Sequence, residues 1–536
     1  MNNPSDPDMD PQQWIEAYRA IQIQGLPEDS ALQEMVHAGL HKITAPFLRS
    51  KKAAKIFSRI LGHHGPVALT LRPMHEAGFL SMYVPEFGRV ASMRSSDESH
   101  RFVIGEHTLL AIEMLDEFKI EHPDGTRARY FEAFRNIRRP EVLYLATLLH
   151  DIGKGLGGDH EKEGGSLVPE ICARLYLNEK DSKTVRFLVE NHLLMAQTSQ
   201  RRDLDDSATI NGFVEKVGRE ERLHMLFLLT NADSLAVGSD SWNEWKETLL
   251  YELYIRSRRR FWEKARGIEQ EGIPPLEVGR RAVDFLEPHI SRRELEEHVE
   301  KMPASYFRFL HPKDLARHVE LVHRVRVKKE AVALQWIQGT PGHCRTLMVC
   351  TRDRLGLFAD IAGTLADKGL NILNASAYTR EDGLVLDFFV VTQWRDSSAC
   401  SPEKEWEVGE ALKHMLNQAQ DIKASDPILP APPLKGRRER PLITVSNNVS
   451  RRFTVLEVEA HDAPGLLHAI SRSLTRMGLD ISLARVITEE DRALDVFYIA
   501  DAGGGQILDM ERLRAIKRAL EEDLTGIPHP ALRIKS

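Results

Sequence analysis

The string Leu148–His160, LLHDIGKGLGGDH, sets His150 and Asp151 at the end of an apolar helix. It then turns through glycines that carry Lys154 and His160. A buried ionisable pair costs free energy unless it is paired or holds a cation. His107 opens an amphipathic stretch, and Asp233 lies in the apolar string LLTNAD. A set ordered His, His-Asp, Asp offers three or four N and O ligands from separate helices. Such a set suits Mn, Fe, Co or Zn, and admits Mg less well. His160 and His192, the latter in ENHLLM, are additional candidates for a second ion or for phosphate. The plainer alternative is a helix C-terminus, where the dipole favours histidine and glycine ends the helix.

The chemistry follows from the donors. A metal held there lowers the pKa of water toward neutrality and screens a phosphoryl oxygen. Lys154, three residues past Asp151, adds a point charge for phosphate. The constellation predicts hydrolysis of a phosphate ester, with Asp151 and Lys154 as its catalytic side chains. Arg201 and Arg202 are candidate contacts for an anionic substrate; a surface ion pair is the alternative. His100 reads as a loop histidine, and Trp242 and Trp245 as core or interface residues.

These side chains need helices to position them. HTLLAIEMLDEF places Leu109, Ile112, Leu115 and Phe118 on one stripe, while EVLYLATLLH and RLHMLFLLTNAD are apolar throughout, as central helices are. The organisation expected is multidomain. Residues 1–11 form a disordered tail, 12–100 an N-terminal helical region, and 101–338 an all-α domain with a helical extension. Residues 343–425 form a first α+β domain, 426–450 a proline-rich basic linker, and 451–536 a second α+β domain.

The last two are a duplication. Asp353, Gly356, Leu357, Ile361, Leu365, Gly369 and Ile372 recur at one constant spacing as Asp462, Gly465, Leu466, Ile470, Leu474, Gly478 and Ile481. Leu386-Asp387 and Phe389 recur as Leu494-Asp495 and Phe497, with a slip of one residue. Each copy fits a β-α-β-β-α-β ferredoxin-like unit. Gly356 and Gly465 open a helix whose N-terminus favours a carboxylate, and Asp353 and Asp462 can receive an amino group or cap the helix. An amino acid suits Asp353, Gly356 and Leu357, and likewise Asp462, Gly465 and Leu466.

The formal net charge of -7 over 536 residues offers no support for a nucleic-acid partner. No apolar run approaches the roughly 20 residues that span a bilayer. The start, MNNPSDPDMDPQQW, is no signal peptide, and the four cysteines show no CxxC spacing, so a cytoplasmic protein without membrane attachment is expected.

His107, His150-Asp151 and Asp233 resemble the signature of HD metal-dependent phosphohydrolases. MHEAGFLSMYVPEFGRV (Met74–Val90), NHLLMAQTSQRRD (Asn191–Asp203) and LLTNADSLAVGSDSWNEWKETLLYELY (Leu228–Tyr254) make the resemblance closer. They are similar to the bifunctional uridylyltransferase/uridylyl-removing enzymes, which modify the signal protein P-II, and the two repeats are similar to tandem ACT domains, small-molecule sensors of glutamine in that family. The resemblance implies one or two divalent ions, a P-II-like protein as substrate, an amino-acid effector, and a homodimer or an intramolecular pair formed through the ACT sheets.

It also implies what is absent. The family's N-terminal nucleotidyltransferase is marked by Gly-Ser followed by Asp-x-Asp. Here Gly165-Ser166 and Gly238-Ser239 lie inside the HD region, and Asp6, Asp8 and Asp10 have no Gly-Ser before them. UMP transfer is therefore not expected of this chain. Gly105 stands where the family has an acidic residue. Two alternatives stay open: an HD hydrolase of a free nucleotide or other phosphate ester, and an ACT-based regulatory scaffold with an inactive HD site.

Overall fold

The computed structural model describes residues 9–26, 30–94, 102–122, 127–204, 206–237, 244–267, 275–307, 310–338, 344–394, 398–418, 440–450, 452–463, 465–489, 492–501 and 503–525. The readings made for residues 1–8, His100, Gly238-Ser239, Trp242, the Trp245 side chain and linker residues 426–439 lie outside this set. The chain divides into two compact units, residues 1–198 with 213–261 and residues 199–212 with 262–536.

The first unit is built of helices. Asp10 caps the helix Pro11–Gln24 in a reciprocal capping box with Gln13, and Met9 is buried. The expected disordered tail therefore does not extend to residue 11. Five helices position the candidate site: α1 (Ile104–Glu117), α2 (Pro140–Leu149), α3 (His160–Arg174), α4 (Glu179–Glu190) and α5 (Glu220–Val237). On α1 the predicted stripe is buried at Leu109, Ile112 and Leu115, with Phe118 just beyond the helix. α2 starts on Pro140, whose missing N–H costs nothing at a first helical position, and buries every residue from Val142 to Leu149. α5 likewise buries every residue from Leu223 to Ala232. Helices apolar all round belong at the centre of a bundle.

The second unit is an antiparallel sheet of eight strands covered by helices. The strands are β1 (Val332–Gln338), β2 (Arg345–Arg352), β3 (Leu370–Thr379), β4 (Leu384–Gln393), β5 (Leu442–Ser446), β6 (Thr454–His461), β7 (Asp480–Glu489) and β8 (Arg492–Ala500). Their order is β1-β2-β4-β3-β7-β8-β6-β5. α6 (Leu357–Asp367) and α7 (Pro402–Gln418) belong to the first repeat, α8 (Leu466–Arg476) and α9 (Met510–Thr525) to the second. The repeats join where β3 meets β7, and the equivalent residues Ala375 and Ala484 pair with each other. The pairing edge that the resemblance offered to a partner subunit is thus used within the chain.

Three boundaries differ from expectation. Val332–Gln338 is an edge strand of the sheet and not the end of a helical domain, and Leu442–Ser446 is the opposite edge and not linker. Each repeat therefore runs β-β-α-β-β-α among the described residues: its fourth strand precedes the first helix and does not follow the second. The helices Pro275–Ala282, Arg292–Lys301 and Pro312–Arg326 also fall in this second unit. Val278, Leu295, Leu315 and Val319 form one core with Met348, Cys350 and Leu386 of the sheet. Hydrophobic periodicity identifies such helices but does not say which neighbour buries them.

Candidate metal centre

His107 comes from α1, His150 and Asp151 from the end of α2, His160 from the first turn of α3, His192 from just past α4, and Asp233 from α5. His107 Nε2 lies 2.8 Å from Asp233 Oδ1, and His150 Nε2 lies 3.3 Å from the same oxygen. His107, His150 and Asp151 each bring a ligand atom within 4.8 Å of the others', and so do Asp151, His160 and His192. The two groups share Asp151. Neighbouring rings are evenly spaced, with centroids 5.5 Å apart for His107–His150, 5.3 Å for His150–His192 and 5.3 Å for His160–His192.

Backbone carbonyls fix the imidazoles. His150 Nδ1–H donates to the Thr147 carbonyl at 2.7 Å, and His192 Nδ1–H donates to the Val189 carbonyl at 2.9 Å. Each bond fixes the tautomer and leaves the Nε2 lone pair for the centre. Both acceptors lie three residues upstream at a helix end, where carbonyls lack helical partners.

Glycines bring α3 to the site. A Cβ on Gly153 would stand 2.1 Å from the His160 carbonyl oxygen and 2.5 Å from Gly164 N. Only glycine lets the His-Asp turn press on α3, and Gly155, Gly157 and Gly158 complete that turn at φ of 85°, 81° and 84°. A Cβ on Gly165 would meet the Glu190 side chain at 2.0 Å, so glycine also closes α3 on α4. The departure at Gly105 has a steric reason: a side chain there would approach the Ala91 carbonyl to 2.9 Å.

The electrostatics balance within the cluster. Burial pulls the His150 imidazole down, but the Asp151 and Asp233 carboxylates outweigh it and raise it to about 9. Burial raises Asp151 and Asp233, yet both stand below the ordinary carboxylate range because His150 lies beside each, reinforced by Lys154 at Asp151 and by His107 at Asp233. Burial and the neighbouring His150 lower His192 to about 4. Lys154 Nζ sits 2.7 Å from Asp151 Oδ2. Asp233 keeps 16% of its side-chain surface, against 3% for Asp151, which makes it the more open side of the cluster.

Residues 104–238 match the HD domain family, residues 345–393 the ACT domain family, and residues 442–534 an ACR9-like, ACT-like domain. The chain carries one HD domain and two ACT-type domains. It is similar to proteins named bifunctional uridylyltransferase/uridylyl-removing enzyme. The match to that of Rhodospirillum rubrum is 34% identical over 90% of this chain and 52% of the relative. That of Azospirillum brasilense is 32% identical over 89% and 52%, and that of Gluconobacter oxydans 31% over 93% and 53%. The chain spans about half the length of the curated relatives it matches. HD domains are metal-dependent, and the donor set here, imidazole nitrogens with carboxylate oxygens, fits a divalent transition metal. No described helix is long and apolar enough to cross a membrane.

The remaining candidates lie in the second unit. Asp353, Gly356 and Leu357 line a cavity of about 360 Å³ between the ACT repeats. Asp462, Gly465 and Leu466 line its counterpart, of about 30 Å³. Gly356 and Gly465 precede their helices at φ of 82° and 86°, the left-handed conformation that glycine permits. Arg202 forms an ion pair with Glu457, which favours the plainer reading of that residue. Asp387 and Asp495 also line the two cavities and were missed as site residues. Their signal was a lone aspartate in each of LVLDFFVV and ALDVFYIA, at matching places in the repeat.

Proposed function

We propose that this chain is a metal-dependent phosphodiester hydrolase of the uridylyl-removing type. It releases UMP from a tyrosyl ester on a P-II-like signal protein, under control of an amino acid bound by the ACT domains. The observation that carries the reading is the pair of ligand groups sharing Asp151. His107, His150, Asp151 and Asp233 would hold one divalent ion, and Asp151, His160 and His192 a second.

Such ions supply a nucleophile from water near neutral pH and charge stabilisation at phosphorus. The chain's own groups do the rest. The Thr147 and Val189 carbonyls hold two imidazoles in the ligating tautomer. Lys154, anchored on Asp151, offers its ammonium to a phosphoryl oxygen and to the charge that grows there. Arg201 remains the candidate contact for the rest of the anionic substrate. Tyrosine is a tolerable leaving group, so a strong general acid is not required.

The experiment is UMP release from uridylylated P-II, with Mn, Co, Zn or Mg supplied in turn. Release with Mn that a chelator abolishes is the expected result. Hydrolysis of free nucleotides with no release from P-II would move the substrate to a small phosphate ester. No hydrolysis of either with any metal would leave the regulatory scaffold.

A further inference from the structure

The ACT repeats bury equivalent carboxylates beside cavities of very different size. Asp387 on β4 is 2% exposed and Asp495 on β8 is 1% exposed. Asp387 Oδ1 and both Asp495 carboxylate oxygens have no hydrogen-bond partner. A carboxyl group so placed calls for a cation or a proton donor. Asp387 faces the cavity of about 360 Å³, within the range of small-molecule sites. Asp495 faces one of about 30 Å³, room for a water or two.

The repeats also differ at one equivalent helix position. The third residue of the first-repeat helix α6 is Ala359, and that of its counterpart α8 is His468. The His468 ring lines the second cavity, bonds the Ala359 carbonyl through Nδ1 at 2.8 Å, and lies against Gly363. The first repeat has no ring at that place.

The walls of the open cavity state the ligand's chemistry. Four aspartates, Asp203, Asp353, Asp387 and Asp480, share it with Arg452, with Arg354, itself paired with Asp360, and with the N-terminus of α6. Acceptors of positive charge and donors to negative charge in one small cavity fit a zwitterion. A bare cation would meet Arg354 and Arg452 on the same walls, and a simple anion would leave Asp387 unpaired.

We infer that the first cavity alone binds a free α-amino acid, one per chain, and that Asp387 is the counter-ion of its ammonium group. This rests on the reading that the ACT pair senses an amino acid, and adds which repeat does so and through which side chain. Burial, with the Asp353 charge adding to it, pushes Asp387 well above the ordinary carboxylate range, and a cationic partner would favour its charged form.

Calorimetric titration of the full chain with single L-amino acids, L-glutamine first, reads the stoichiometry. The expected result is one bound molecule per chain. Asp387→Asn weakens it about tenfold to a hundredfold, the order of one charge-assisted hydrogen bond, and Asp495→Asn leaves it unchanged. Glutaramic acid, which is glutamine without its amino group, binds the wild type as weakly as glutamine binds D387N and loses nothing further on that variant. Should D387N fail to fold, the glutaramic acid comparison on the wild type still decides. Two molecules per chain, equal losses in both variants, or full affinity without the amino group would overturn the inference. Binding of no amino acid would overturn the sensing reading with it. UMP release is assayed separately, so the hydrolase reading stands or falls by itself.

Discussion

Two regions of this chain bury aspartates, and their surroundings drive them in opposite directions. In the HD domain, burial raises Asp151 and Asp233, but neighbouring imidazoles and Lys154 outweigh it and hold both low. In the ACT sheet, burial raises Asp387 and Asp495, and the nearby Asp353 and Asp462 add to it, so both stand well above the usual carboxylate range. The same side chain is thus pushed toward its charged form in one place and toward its neutral form in the other. The first arrangement draws nitrogen and oxygen donors from five helices and is organised around positive charge. The second sets a single carboxyl on one strand, between Val349 on β2 and Ala377 on β3.

The contrast breaks most sharply at the HD centre. His150→Ala or Asp151→Ala should lower UMP release by on the order of a thousandfold or more, since each removes a donor and Asp151 serves both groups. Bound Mn, counted by dialysis, should fall in step. A variant that keeps its rate within about tenfold would remove the site from the mechanism. Lys154→Ala comes next, with an expected loss of about a hundredfold in kcat at unchanged Mn content, the scale of one group facing developing charge. Loss of Mn from that variant would recast Lys154 as an organiser of Asp151.

Much of the HD centre was legible because its signal is chemical. His107, His150-Asp151 and Asp233 stand out as polar residues in strings that are otherwise apolar, and such residues have few reasons to be there. Their support was not legible. The Thr147 and Val189 carbonyls belong to no residue type, and the need for Gly153 lies in its contact with α3. In the sheet, the duplication was plain from recurring Gly, Leu and Ile, but the edge strands β1 and β5 were missed because no repeat partner had been matched to them. The contrast of Ala359 with His468 stands where the repeats differ, which a search for what they share passes over.

The sheet carboxylates give a smaller, pH-dependent effect. Their folded values lie above the unfolded value of about 3.9. The folded chain therefore holds their protons more tightly, and the stability they contribute is complete below the unfolded value and lost as pH rises through the folded one. The double variant D387N/D495N carries no such protons. Its margin over the wild type should widen as pH rises from the unfolded value of about 3.9 toward the folded ones, by up to about 1.4 kcal/mol per pH unit for each carboxyl, read by urea unfolding. A constant margin would mean that these carboxylates ionise freely and that the contrast with the HD centre is false.

The smallest effect belongs to a third kind of charge. Arg202 and Glu457 form an ion pair with side chains 31% and 22% exposed, in surroundings where water screens both. Glu457→Gln should change stability by less than about 1 kcal/mol. The same substitution separates two roles for Arg202. A guanidinium held by Glu457 and released would lower KM for uridylylated P-II if it had a phosphate to bind; as a partner for Glu457 alone, it leaves KM where it was. The neighbouring contact sets the scale. The Asp203 N–H donates to the Tyr498 hydroxyl at 2.6 Å, and Tyr498 is 1% exposed. Tyr498→Phe strips that N–H of its acceptor and should cost about 1–3 kcal/mol. An ion pair outranking this neutral hydrogen bond would mean that charge at this edge of the sheet is as shielded from water as it is at Asp151.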